Sequence, residues 1–199
     1  MASGQTSNYG LNQWAAEDQV IRTEFNEDNA KIDTKIQALV NADKIIKVTE
    51  LAMEEDCYQV DILLDKIDLS QFSMLRILVS AATGAGGLWM RMNNISSSSY
   101  YTTSSTSTSN PEQYTYADVT IAGNRGISAK IDLMPYNLGQ YTAAMIHSEG
   151  LYSRLVNATF GAVCTSVPFT ELAQVNFLGT YDTYTIKAGS RFDVYGLLK

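Results

Sequence analysis

The hydrophobic period of the chain changes once, near residue 44. Before that point apolar side chains recur at helical intervals, and after it they alternate with polar ones. A repeat near 3.6 residues draws one stripe along a helix, whereas a repeat of two draws one face along a strand. The pattern therefore predicts a short helical segment ahead of a β domain. Charge divides as well: residues 1–70 carry 14 acids against 6 bases, and residues 71–199 carry 7 against 8. We read three parts: an N-terminal docking segment over 1–22, a helical stalk over 23–44 and a β head over 45–199.

In the helical part Thr23 is placed to cap, with Glu24, Glu27 and Asp28 complementing the positive end of the helix dipole. Phe25, Ile32, Ile36 and Leu39 follow at intervals of seven, four and three, with Asn29 in line. That spacing is a coiled-coil seam with one polar core position, and so narrow a stripe calls for a helical partner. A parallel homotrimer or other self-association is one reading, and a helix packed on its own domain is the other. Ahead of it, Tyr9-Gly10-Leu11-Asn12-Gln13-Trp14 sets two aromatics on an irregular segment. Trp14 can staple onto the helix start, or dock on another protein.

From Ile45 the chain reads as short strands. Tyr58, Val60, Ile62 and Leu64 alternate with Gln59, Asp61 and Asp65, broken only by Leu63, and Leu75, Ile77, Val79 and Ala81 form a second run. Further runs are Leu88–Asn93, Tyr114–Ile121, Ile127–Met134, Tyr141–His147, Val156–Cys164, Phe169–Phe177, Tyr181–Lys187 and Arg191–Leu198. About ten such strands separated by Gly, Ser and Asn predict a mainly β fold, an antiparallel jelly-roll-like β-sandwich. Without helices between the strands, a parallel α/β fold is excluded. The Ser/Thr/Tyr tract from Ile95 to Asn110 suits a mobile loop, an exposed hairpin or a hydroxyl-lined ligand surface.

Composition removes several functions. A net charge of −7 argues against nucleic acid as a partner, and no apolar run approaches the roughly 20 residues of a membrane span. The start lacks the basic and apolar regions of a signal peptide, so neither membrane insertion nor Sec export is expected. Cys57 and Cys164 suit unpaired thiols. With one histidine, His147, and two distant cysteines, no zinc set is expected, and Glu54-Glu55-Asp56 lacks the repeat of a calcium loop. Thr83-Gly84-Ala85-Gly86-Gly87 has no following Lys-Ser/Thr and reads as a hairpin turn rather than a phosphate loop. No serine sits in a nucleophile elbow. The head's carboxylates, Glu112, Asp118, Asp132, Glu149, Glu171, Asp182 and Asp193, are scattered, so only a chance cross-strand pair would serve a glycosidase. No enzyme activity and no cofactor are expected.

The strand Leu88-Trp89-Met90-Arg91-Met92-Asn93 is the better lead. Alternation sets Leu88, Met90 and Met92 on one face and Trp89, Arg91 and Asn93 on the other. An indole, a guanidinium and an amide together suit a saccharide. The alternative buries Trp89 between subunits or in a second core layer, with Arg91 paired to an acid. Tyr100 and Tyr101, with Tyr114 and Tyr116, either extend that surface or form cross-strand pairs of a hairpin.

The stretch Asn8-Tyr9-Gly10-Leu11-Asn12-Gln13-Trp14, followed by Phe25-Asn26-Glu27-Asp28-Asn29-Ala30-Lys31-Ile32-Asp33, resembles the N-terminal region of tail-fibre, baseplate or receptor-binding proteins of phages and prophages of Gram-positive bacteria. Leu88-Trp89-Met90-Arg91-Met92-Asn93-Asn94 is similar to an aromatic-aliphatic-Arg-aromatic-Asn strand of their heads. Gly189-Ser190 with Val194-Tyr195-Gly196 is similar to their closing strand. Met90 and Met92 stand where that pattern has a leucine and an aromatic, and residues 95–180 have no counterpart in it. The resemblance implies a homotrimeric component of the virion tail, assembled in the bacterial host cytoplasm. It would be anchored on other tail or baseplate proteins through Tyr9, Leu11 and Trp14, and would present its heads to a host cell-surface glycan. The rival readings are a purely structural tail or capsid subunit and a surface-polysaccharide depolymerase.

Overall fold

The computed structural model describes residues 1–7, 9–42, 45–84, 86–104, 112–120, 126–151, 155–180 and 184–199. The chain divides into two compact units, Met1–Lys44 and Ile45–Lys199.

In the first unit β1 (Gly4–Gln5) and β2 (Asn12–Gln13) form a small antiparallel ribbon, followed by α1 (Arg22–Ala42). The helix starts one residue before the expected boundary. Phe25 N–H donates to Ile21 O at 3.2 Å, and Thr23 stands inside the first turn rather than at the cap. The N-terminal arm is tied to the helix by carboxylates that accept its N–H groups. Asp28, itself buried, takes the Asn12 backbone N–H at 2.9 and 3.1 Å and its side-chain amide at 3.0 Å. Glu24 accepts from Ala2 N at 3.0 Å and from the Trp14 indole at 3.2 Å. Lys31 Nζ donates to Gly10 O at 2.6 Å. The segment expected to dock elsewhere thus forms one body with its own helix. On α1 the apolar stripe is left open: Phe25, Ile32 and Ile36 are 54%, 40% and 54% exposed, and Asn29 is exposed with them. The side chain of Leu39 lies outside the described residues.

In the second unit the described residues carry twelve strands in two antiparallel sheets. The larger sheet has the order β3 (Ile45–Ala52), β14 (Arg191–Leu198), β5 (Phe72–Ala81), β10 (Ile127–Tyr136), β11 (Tyr141–Leu151), β12 (Leu155–Cys164), β7 (Tyr100–Ser104) and β8 (Glu112–Tyr114). The smaller has the order β4 (Gln59–Leu63), β13 (Gln174–Gly179), β6 (Leu88–Met92) and β9 (Ala117–Thr120). Alternation places the residues. In β5, Leu75, Ile77, Val79 and Ala81 turn inward, and Arg76, Leu78 and Ser80 turn outward. In β4 the irregular Leu63 simply faces solvent while Val60 and Ile62, and Leu64 just past its end, stay buried. One core joins the sheets, and Phe177 of β13 meets Phe192 of β14 with ring centroids 4.8 Å apart.

Several expected runs differ in the structure. Tyr114–Ile121 is not one strand: β8 ends at Tyr114 in the larger sheet, a bend at Thr115 and Tyr116 follows, and β9 belongs to the smaller sheet. Phe169–Phe177 opens as a 3-10 turn, Phe169–Glu171, and becomes strand only at Gln174. Of Tyr181–Lys187, residues 181–183 lie outside the described set, and Ile186 makes single bridges to Cys57 and Thr83. The hydroxyl-rich tract contributes β7, paired on both sides by β12 and β8, while residues 105–111 lie outside the described set. Edge strand β3 is guarded by a ring of charges in which Lys47 bridges Glu50 and Asp193 while Arg191 bridges the same two acids. Such charges block edge-to-edge pairing with another chain.

Candidate functional site

The face of β6 predicted to bind sugar is largely closed by the protein itself. Leu88, Met90 and Met92 are fully buried, as their alternation requires. On the other face the bend after β8 brings the Tyr116 ring onto Trp89, with centroids 3.9 Å apart and planes 14° from parallel, and Tyr114 lies 5.9 Å from Tyr116. Asp118 is the register partner of Trp89 and accepts a hydrogen bond from it; burial pushes this carboxyl above its ordinary range. Arg91 Nε donates to Thr115 O at 3.0 Å. Asn93, at φ 51°, accepts from Ala173 N at 2.8 Å and Gln174 N at 3.1 Å, and donates to Glu171 O at 2.9 Å. Tyr100 is a core residue. Its hydroxyl accepts from Met92 N at 2.7 Å, and burial holds its phenol far above the usual range. Tyr100 therefore leaves the expected surface, while Trp89, Arg91, Asn93, Tyr114 and Tyr116 stay half-buried. Backbone groups left open by the β6–β7 and β12–β13 turns and the sheet-switching bend recruit these polar atoms, because buried amides and carbonyls need partners. Tyr100 and Tyr114 stand opposite each other, the hairpin pairing that was the alternative.

Tyr101 is the most open of the candidates, 39% exposed, and it belongs to a different site. On the outer face of the larger sheet, Tyr136 pairs with Tyr141, Ala143 with Val163, and Val163 with Tyr101. With Gly161 and Thr165 these residues line an open groove of about 450 Å³. The floor is low because Ala143, Gly161 and Val163 are small, and three phenols rise around it. The β10–β11 turn sets the spacing of two of them. Asn137, Leu138 and Gly139 take φ of 50°, 56° and 85°, and Gln140 N donates back to Asn137 O at 3.2 Å. Leu138, 102% exposed, projects at the tip. Phenol faces stack on the C–H faces of a sugar ring while their hydroxyls both donate and accept. Sequence reading missed Tyr136 and Tyr141. The available signal was two tyrosines bracketing Asn137-Leu138-Gly139-Gln140, a turn that pairs them in register.

The remaining chemistry-bearing residues have partners within the head. Asp132 is gripped by Arg76 through Nε at 2.7 Å and Nη2 at 2.9 Å. His147 Nδ1 lies 3.1 Å from Thr159 Oγ1. Asp56, in the acidic triplet, binds Lys187 at 2.6 Å and Ala188 N at 2.9 Å. Asp182 and the side chain of Glu112 lie outside the described residues. Among the described residues no group of three His, Cys, Asp or Glu is arranged to hold a metal ion, and no helix is long and apolar enough to cross a membrane. In the N-terminal unit Tyr9 is exposed and shares with Leu11, Ile32 and Ile36 an apolar groove of about 280 Å³ beside the open stripe. No family model, no curated protein and no solved structure matches the chain.

Proposed function

We propose that this chain is a receptor-binding or baseplate-associated protein of a phage or prophage tail, whose β head holds host cell-surface saccharide without cleaving it. The observation that carries this reading is the groove of Tyr101, Tyr136 and Tyr141 over a floor of small residues, open to solvent on the outer sheet face. The head is a jelly-roll-type sandwich, and the exposed stripe of Phe25, Asn29, Ile32 and Ile36 joins three copies as a stalk. Three heads raise the effective concentration at a cell surface, so weak single sites suffice for attachment. Tyr9 and Leu11 remain the contacts for a tail partner, whereas the Trp14 indole is already used by Glu24.

The test uses the full chain and cell walls isolated from a panel of Gram-positive strains. Binding to some of them, abolished by Tyr136→Ala with Tyr141→Ala at unchanged melting temperature, supports the reading. No binding to any wall, or binding indifferent to both substitutions, overturns it. Light scattering tests the stalk: a mass of three times 21.9 kDa is expected, reduced by Ile36→Asp. A purely structural subunit is the second reading, favoured by the fully exposed Leu138 tip. Wall binding that depends on the tyrosines argues against it.

A further inference from the structure

We infer that the ligand is a neutral polysaccharide chain lying along β11, spanning the tyrosine groove and a second, polar subsite, rather than a short sugar or a polyanion. This rests on the saccharide reading of the groove and extends it.

The outward residues of β11 after the turn are Tyr141, Ala143, Met145, His147 and Glu149. At ~3.4 Å per residue that line is about 27 Å long, enough for several pyranose units. Its far end has a depression of its own, about 370 Å³, lined by Ser128, Lys130, His147, Glu149, Asn157 and Thr159. Register makes these six a grid of two rows: Lys130, His147 and Thr159 in one, Ser128, Glu149 and Asn157 in the next. The grid offers an ammonium donor, a carboxylate acceptor, an amide and two hydroxyls, which suits a surface of alternating hydroxyl groups. His147 engages Thr159 through Nδ1, which leaves Nε2 for a ligand. Between the two depressions Met145 and Gly161 are register partners, flanked on the β10 side by Asp132 in its pair with Arg76.

Charge selects the class. Along the face Arg76 and Lys130 both reach Asp132, Lys130 Nζ at 4.0 Å, and Glu149 is the second acid, so two cations stand against two carboxylates. A phosphate-bearing polymer would meet Glu149 on a chain of net charge −7, and the cations of this face, Arg76 and Lys130, already share Asp132. A neutral polymer meets balanced donors and acceptors along the whole line.

The test again uses the full chain. The probe is polysaccharide extracted from a strain whose walls the protein binds, separated by anion exchange into neutral and phosphate-bearing fractions, with part of the neutral fraction trimmed to disaccharides. The long neutral chain is expected to bind about tenfold or more tighter than the disaccharides, with little dependence on salt. Lys130→Ala with Asn157→Ala should bring the long chain down to disaccharide affinity, leave the disaccharides unaffected, and keep the wild-type melting temperature. Equal affinity for long and short probes, or silence of the double variant, overturns the extended footprint while the groove stands. Preference for the phosphate-bearing fraction, weakening steeply with salt, overturns the neutral class. Loss of neither probe in Tyr136→Ala with Tyr141→Ala removes the groove reading itself, and the extension falls with it.

Discussion

Trp89 and Tyr116 lie face to face, centroids 3.9 Å apart and planes 14° from parallel, although 26 residues of chain lie between Trp89 of β6 and Tyr116 in the bend. The contact is made by a change of sheet. The chain leaves β8 in the larger sheet, turns at Thr115 and Tyr116, and enters β9 beside β6 in the smaller one. The tyrosine dropped at that corner covers the indole that would otherwise face solvent.

Tyr116→Ala should therefore uncover Trp89. An offset-stacked aromatic pair contributes about 0.5–1.5 kcal/mol beyond the area it buries. The expected outcome is a loss of about 1–2 kcal/mol in stability of the head, with Trp89 emission shifted to the red and more readily quenched by iodide. Trp14→Phe in the background isolates the Trp89 signal. Unchanged emission would mean that Tyr116 does not shield the ring.

The arm of the N-terminal unit depends on Asn12. Asp28 is 7% exposed and accepts both the backbone and side-chain N–H groups of that residue. Hydrogen bonds to a charged group contribute about 1.5–3 kcal/mol, so Asn12→Ala should free the arm. Amide exchange across residues 2–13 should quicken by about tenfold or more, while helix amides beyond Ile32 keep their wild-type rates. Equal protection in both proteins would show that the clasp holds nothing.

Two glycines of the head differ sharply in what they tolerate. A Cβ on Gly179 would lie 1.8 Å from the Tyr184 carbonyl oxygen, whereas one on Gly126 would meet nothing within 4 Å. The obstacle at Gly179 is backbone, which cannot swing aside. Gly179→Ala should cost about 3 kcal/mol or more, and Gly126→Ala should stay within about 0.5 kcal/mol of wild type, by urea denaturation.

Acid should weaken the head. The Lys187 ammonium and the Ala188 N–H hold the Asp56 carboxyl below its ordinary 3.8, and Arg191, then Lys47, do the same for Asp193. Hydrogen bonds from Ser70 and Gln71 lower Asp68 as well. A carboxyl depressed in the folded state stabilises the fold above its ordinary pKa and loses that contribution as pH falls through the depressed value. Asp118, raised by burial, has the opposite sign and favours the fold at low pH. Three depressed groups against one raised group predict a melting temperature that drops below about pH 4. Asp56→Asn should lower it at neutral pH and flatten the acid limb; a limb of unchanged steepness would remove Asp56 from the balance.

The legible part of this protein is its local pattern. The repeat of Leu75, Ile77, Val79 and Ala81 foretold which side of β5 is buried, and Leu88, Met90 and Met92 did the same for β6. The spacing of Phe25, Ile32 and Ile36 foretold one stripe on a helix, and that stripe is exposed. The two-residue and 3.6-residue periods follow from backbone geometry alone, so a window of ten residues carries them. Residue type also marked aromatic, hydroxyl-bearing segments as the ones to watch, and Tyr101 came from that list.

Pairing across the chain was decided elsewhere. Whether Trp89 meets a ligand or Tyr116, whether Asn93 faces solvent or holds Ala173 and Gln174, and whether Tyr136, Tyr141 and Tyr101 share a groove all depend on which strands become neighbours and in what register. β7 and β12 are far apart in the sequence, and the pairing that puts Tyr101 beside Val163 is stabilised by the whole sheet rather than by either strand. Period is a property of consecutive residues, whereas register is a property of the closed sheet and the shared core. For that reason a mainly β chain with one helix, and its buried faces, could be read from the amino acids in order, and the groove appeared only when β10, β11, β12 and β7 were laid side by side.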